Sequence, residues 1–384
     1  MKAITMLLLL LLILPGQHAA DIPVSLGVNI HFTGAPAVHL DMIQAAGFGF
    51  VRMDMFWHIC EPQVGVYDFS PYDQLVQGLS QRGLSALFIL DYNNPLYGED
   101  LCSIRTQTGR DGFARFAAQA VAHFQGADIA WEIWNEPNIH WFWQPEPDAG
   151  QYMLLLQAAA EAMRAVDPDV TILAPAVSCV DYDFIVSCGQ LGLFDHIDAL
   201  SVHPYECTHP EQFRLLRHML RQVLAAQFPQ HTGIPLVSSE WGYSTYTSGV
   251  SDTVQAQYLA RMFISNISMD IPSVWYDWRD DGPNPANPEH NFGVVEYDRT
   301  PKPAYYAMQG LTKALQGLHF EQQLPARPQD FILLFTGGSR QVVVAWTLGK
   351  AHYVQIGPGI PMFVSAMPAY IRLTQPYASS AISE

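Results

Sequence analysis

Basic residues are scarce in this chain. Lys and Arg together number 19 against 36 Asp and Glu over 384 residues, a formal net charge of -17. A surface of that sign repels phosphate backbones and anionic headgroups, which argues against nucleic acid or anionic lipid as a partner. It argues equally against a strongly anionic polymer as substrate. Cysteine is sparse too: Cys60, Cys102, Cys179, Cys188 and Cys207, with no C-x-x-C pair, so a thiolate zinc cluster is not expected. None of the 14 histidines falls in an H-E-x-x-H spacing, and neither a metal nor an organic cofactor is expected. No internal repeat, Gly/Ser linker or low-complexity run breaks the chain.

No apolar run is long enough to cross a bilayer as a helix. The longest, Ile4 to Leu14, follows a single Lys and precedes Pro15, Gly16, Ala19 and Ala20. That pattern reads as a secretory signal peptide over residues 1–20, cleaved after Ala20. The mature protein is then secreted or periplasmic and has no membrane segment. Export makes disulfides admissible. The odd cysteine count leaves at least one thiol free, and the sequence admits either one or two bridges among loops or buried thiols throughout. Cys60 with Cys102 is the first pairing to expect, because both follow neighbouring strands; Cys179 with Cys188 or Cys207 is the second.

What the chain has in plenty is apolar and aromatic side chains: 49% hydrophobic residues, with 9 Trp, 17 Tyr and 20 Phe, ample for a large core. Strand-like runs occur at 24–32, 48–56, 84–92, 128–136, 170–175, 197–205, 234–242 and 271–278. Helical spacing lies between most of them, as in "YMLLLQAAAEAMRAV" (152–166) and 210–228. Eight strands alternating with helices predict a (β/α)8 TIM barrel over 21–317. A doubly wound open sheet is the second choice, weakened because no Gly-rich phosphate turn follows the first strand. From 318 to 384 the text changes to short strand-like runs broken by Gly and Pro, such as "FILLFTGG" and "QVVVAWTLG". This predicts a small β-sheet or sandwich appendage.

In such a barrel chemistry gathers at the carboxyl ends of the strands. There the sequence places Asn29 and His31, Arg52 and Asp54, Asp91, Asn135 and Glu136, His203 and Tyr205, Glu240, and Trp275, Asp277 and Trp278. Trp131 and Trp346 read as core. Trp57, Trp141, Trp143 and Trp241 stand in loop-like text, where exposed rings could stack on sugars. The stretch "AWEIWNEPN" (130–138) ends strand 4 in Glu136, and "PLVSSEWGYST" (235–245) ends strand 7 near Glu240. Two carboxylates facing each other across a barrel mouth are what glycoside cleavage needs: an acid for the leaving oxygen, and a nucleophile or base for the anomeric carbon. Glu132, deeper on the same face as Glu136, reads as a buried partner for a base or hydroxyl.

"WNEPN" and "SEWG" in these positions resemble the clan A glycoside hydrolases, and most of all family 39, which includes bacterial exopolysaccharide hydrolases. Three further stretches agree: "FVRMDMFWHICEPQVGVYDFSPYDQLV" (50–76), "WYDWRDDG" (275–282) and "HNFGVVEYDRTPKPAYYAM" (290–308). The resemblance covers residues 24–316. It implies Glu136 as acid/base and Glu240 as nucleophile, with retained anomeric configuration. Asn135 would bind the sugar 2-hydroxyl and Arg52 would keep Glu240 ionised, unless it serves as an ion-pair partner of Asp54. His203 and Tyr205 would line the nucleophile, Trp57 and His31 would contact substrate, and Trp275 or Trp278 would floor the sugar site.

The expectation is therefore an exported retaining β-glycosidase, endo-acting on an exopolysaccharide or β-glycan. An exo-acting β-xylosidase-like enzyme and a transglycosidase are the alternatives. A silent polysaccharide-binding barrel is disfavoured because both glutamates are present.

Overall fold

The computed structural model describes residues 22, 24–98, 102–357, 360–375 and 377; the expected signal peptide lies outside them. Eight strands close a parallel barrel in sequence order: β1 (Leu26–Asn29), β2 (Phe50–Phe56), β3 (Ser85–Asp91), β4 (Ile129–Ile133), β5 (Ile172–Ser178), β6 (Ala199–His203), β7 (Leu236–Trp241) and β8 (Ser273–Trp275). β8 returns to pair with β1. Each strand is followed by a helix, from Ala37–Ala46 after β1 to Pro303–Leu315 after β8. The chain is a (β/α)8 TIM barrel.

Alternation along each strand fills the barrel in layers. Phe50, Leu87, Ala130, Leu173, Ala199, Val237 and Val274 from β2 to β8 meet in one apolar cluster. β1 contributes Gly27, where a Cβ would lie 2.4 Å from the Phe50 ring; the absent side chain is what admits that ring. The opposite face of the strands packs on the helices in the main core, which takes in Val51, Phe88, Trp131, Trp241 and Trp275. Two residues on from the apolar layer, the same inward positions hold Asn29, Arg52, Glu132, Ser201, Ser239 and Tyr276.

After the last helix the chain forms a four-stranded antiparallel sheet, with β9 (His319–Gln323), β10 (Asp330–Gly337), β11 (Arg340–Thr347) and β14 (Ala369–Arg372) in the order β14-β11-β10-β9. The pair β12 (His352–Gln355) and β13 (Pro361–Val364) stands beside it. The sheet docks on the barrel through Trp346, whose Nε1 donates to Glu211 Oε1 at 2.7 Å. Arg261 closes the same carboxylate with two bonds of 2.7 and 2.6 Å.

No expected bridge forms: all five cysteines are free, Cys60, Cys188 and Cys207 buried and Cys102 and Cys179 half-buried. Cys60 and Cys188 are buried in the core, where burial pushes the Cys60 thiol up to about 12. Cys102 faces the Phe142 carbonyl, not Cys60. Among the described residues no helix is long and apolar enough to cross a membrane.

Candidate active site

Arg52 is the hub of the polar layer, because β2 carries it two residues above Phe50 on the inward face. Its guanidinium is almost wholly buried. Nε and Nη2 hold Glu132 Oε2 at 2.8 and 2.7 Å. Nη1 donates to Glu240 Oε2 at 2.5 Å and to Asn29 Oδ1 at 3.3 Å, and Nη2 to Asn135 Oδ1 at 2.9 Å. Arg52 thus bonds to Glu132 and Glu240 and not to Asp54, and Glu132 is the buried ion partner its depth predicted. An arginine this deep is tolerated because every edge of its fork is bonded.

Glu240 reaches this hub by an irregularity. Val237 and Ser239 point inward, so strict alternation would turn Glu240 out to the helices. A register shift between Ser238 and Trp241 in the β7–β8 pairing reverses the order. Trp241 goes out to pack on Phe213, and Glu240 comes in. Its Oε1 accepts from the Tyr205 hydroxyl at 2.8 Å. Burial alone would raise its pKa, but His203, Arg52 and Tyr205 together bring it below the usual glutamate value.

Glu136 is placed by strained backbone. Trp134 and Glu136 have φ of 70° and 47°, left-handed conformations that cost a non-glycine residue free energy. The strain turns Trp134 into the helix-side core while Glu136 stays at the mouth, where its N–H holds the Ala176 carbonyl at 3.0 Å. His203 Nδ1 lies 2.9 Å from Glu136 Oε1, and its Nε2 lies 3.1 Å from Ser239 Oγ. The Arg52 guanidinium lies 3.5 Å from the same Nε2. A carboxylate oxygen of Glu136, one of Glu240 and a His203 nitrogen all lie within 4.8 Å of one another.

The remaining residues divide. Asn135 stands beside Glu136 with its oxygen tied to Arg52. His31, exposed at the mouth, bonds Asp281 Oδ1 through Nδ1 at 2.8 Å, and Asn29 Nδ2 lies 3.0 Å from its Nε2. Burial opposes its charge, but Asp281, Asp277 and Asp54 outweigh that and raise it to about 9.

The tryptophans are a correction. Trp57, Trp275 and Trp278 are fully buried and cannot meet a sugar. Trp57 opens the helical turn Trp57–Cys60, stacks on Tyr97 at 4.8 Å and donates to Glu61. Trp275 donates to the Phe292 carbonyl and Trp278 to His39. Trp143 and Trp241 are likewise core, as are Trp131 and Trp346. Only Trp141 among those expected in loops is exposed, at 76%.

The aromatic that β8 aims at the mouth is Tyr276. Its ring lies 5.4 Å from that of His31, and its hydroxyl donates to Glu289. Parity was the missed signal: Val274 is inward, so Tyr276 is inward and Trp275 is not.

Residues 23–282 match the sequence model of the cellulase family, glycosyl hydrolase family 5. The chain belongs to this family. Its motifs place it in clan A, and a β-xylosidase of Geobacillus stearothermophilus is 26% identical to it over 217 residues. That alignment spans 46% of this chain and about two fifths (39%) of the xylosidase. Among solved structures, a family 39 glycoside hydrolase from Bacteroides cellulosilyticus WH2 superposes with a TM-score of 0.79 at 24% identity, covering 91% of this chain and 80% of the other. A family 39 β-xylosidase from Caulobacter crescentus gives 0.67 at 20% identity, over 88% and 81%. At such identities the superpositions speak for the fold, and the fold is that of clan A hydrolases.

Proposed function

We propose that this chain is an exported retaining β-glycosidase working by double displacement. The observation that carries the reading is the separation of Glu136 and Glu240, whose nearest carboxylate oxygens lie within 4.8 Å. Retaining enzymes hold their two carboxyl groups about 5–5.5 Å apart, whereas inverting ones leave about 6.5–9.5 Å for a water.

Roles follow from the neighbours. Glu240, charged and held by Arg52 and Tyr205, attacks the anomeric carbon. Glu136 gives its proton to the departing glycosidic oxygen, and the C–O bond breaks as the ester to Glu240 forms. Glu136, now a carboxylate steadied by His203, takes a proton from water. The water oxygen attacks the anomeric carbon, and Glu240 leaves as carboxylate with Arg52 beside it to receive the charge. Asn135, beside Glu136, bonds a sugar hydroxyl at the cleavage point.

For the substrate, the long loops after β4 (135–148) and β8 (279–293), with Trp141 exposed on the first, favour an extended β-glycan or exopolysaccharide cleaved internally. The β-xylosidase relative favours a second reading, exo-acting release of single sugars. The apolar run from Ile4 to Leu14 supports export. Proton NMR of early hydrolysis of a β-glycan should show the β-hemiacetal forming first, and the product sizes should separate internal from terminal cleavage. First appearance of the α-anomer would overturn the double displacement.

A further inference from the structure

Beside the two glutamates, three side chains from the seam where the barrel closes meet with no role in the displacement. His31 stands just past β1, Asp277 just past β8, and Asp281 in the loop that follows. His31 Nδ1 lies 2.8 Å from Asp281 Oδ1 and 3.5 Å from Asp277 Oδ2, and the three donor atoms fall within 4.8 Å of one another.

Asp277 is the unusual member. Its side chain is only 2% exposed, and its Oδ1 is buried with no hydrogen-bond partner. A carboxylate out of water needs bonds or a cation. The cation facing it is the His31 imidazolium, shared with Asp281; Lys302 Nζ lies 3.2 Å from Asp280, and Arg52 bonds Glu132 and Glu240. One imidazole faces two carboxylates, and the buried one keeps an oxygen, Asp277 Oδ1, with no partner.

We infer that His31, Asp277 and Asp281 form a binding site for a divalent transition-metal cation of the Mn²⁺ or Zn²⁺ class. A nitrogen with two carboxylate oxygens is a donor set such ions accept. At metal–ligand distances near 2.1 Å, neighbouring donors stand roughly 3–3.4 Å apart, close to the 2.8 and 3.5 Å found here. The face of Asp281, with its side chain 34% exposed, leaves room for waters to complete the shell. Metal at Nδ1 keeps the ring proton on Nε2. The Asn29 amide then turns its oxygen to that N–H and gives up the 3.3 Å bond it accepts from Arg52. A bound cation ties the loop after β8 to the end of β1 along one wall of the mouth. The site stands whether or not the two glutamates cleave glycosides.

Mn²⁺ binding to the full chain, counted by electron paramagnetic resonance of the free ion, tests this. One Mn²⁺ per chain is expected, displaced by Zn²⁺. Asp281→Asn, a change at a partly exposed side chain, should weaken it about tenfold or more, and His31→Gln should do the same. Glu136→Gln should leave it intact, because the other His and carboxylate grouping, Glu136 with His203 and Glu240, is not this site. No bound Mn²⁺, binding unchanged in both Asp281→Asn and His31→Gln, or binding lost in Glu136→Gln would overturn the assignment.

Discussion

Arg52 Nη1 meets Glu240 Oε2 at 2.5 Å while its Nε and Nη2 hold Glu132 from below. One buried guanidinium therefore fixes the charge and the position of the group that would attack the sugar, and it is itself anchored by a carboxylate that substrate never reaches. Glu132→Gln should lower kcat by misplacing Arg52, a change at a distance from the reacting atoms.

The two mouth glutamates should separate by rescue. Glu240→Ala removes the nucleophile. Azide entering the hole should attack an activated aryl glycoside directly and give a glycosyl azide of inverted configuration. Glu136→Ala still forms the glycosyl ester with such a substrate, and azide should then release it with retention. Proton NMR distinguishes the anomers; the same anomer from both variants would refute the assignment of roles.

Tyr205→Phe deletes the hydroxyl that donates to Glu240 Oε1. That bond favours the ionised form, so its loss raises the pKa of Glu240. The acidic limb of kcat/KM, which reports ionisation of this group in the free enzyme, should move to higher pH. A limb that stays in place would separate it from Glu240.

Trp141 and Trp275 should behave oppositely. Trp141→Ala at an exposed ring should weaken oligosaccharide binding by about 1 kcal/mol with little change in Tm. Trp275→Ala in the core should cost about 3–5 kcal/mol of stability. Calorimetric binding and thermal unfolding of both variants check the pair.

The appendage is held by the Glu211 carboxylate, which Arg261, Trp346 and His209 surround. Burial alone would raise the pKa of Glu211, but Arg261 and Trp346 bring it below the ordinary glutamate value. Its contribution to stability is therefore full above the unfolded value and is lost as pH falls through the folded one. Arg261→Ala removes the buried partner of that carboxylate, leaving it Trp346 and the half-exposed His209, and should destabilise the protein by up to roughly 3–5 kcal/mol. The loss should shrink in acid, as unfolding followed by circular dichroism at falling pH would show.

The sequence by itself determined the barrel and its two glutamates. Strand-like runs alternating with helical ones have one closed parallel solution at this length, and "WNEPN" and "SEWG" mark the ends of two of its strands. It also made Glu132 a buried partner, since a period of two puts it on the face of Glu136, four residues deeper. Tertiary structure decided what periodicity cannot carry. Glu240 turns inward only because β7 slips register against β8, and the left-handed backbone at Trp134 and Glu136 sends the intervening tryptophan out while Glu136 stays at the mouth. The choice between Trp275 and Tyr276 as the ring in the mouth required knowing which face of β8 was inside, and Val274 reveals that only once it packs with Phe50 and Leu87. His31 and Asp281 are 250 residues apart in sequence; they meet because the eighth strand pairs with the first, and that closure is a property of the whole sheet that no local stretch of residues encodes.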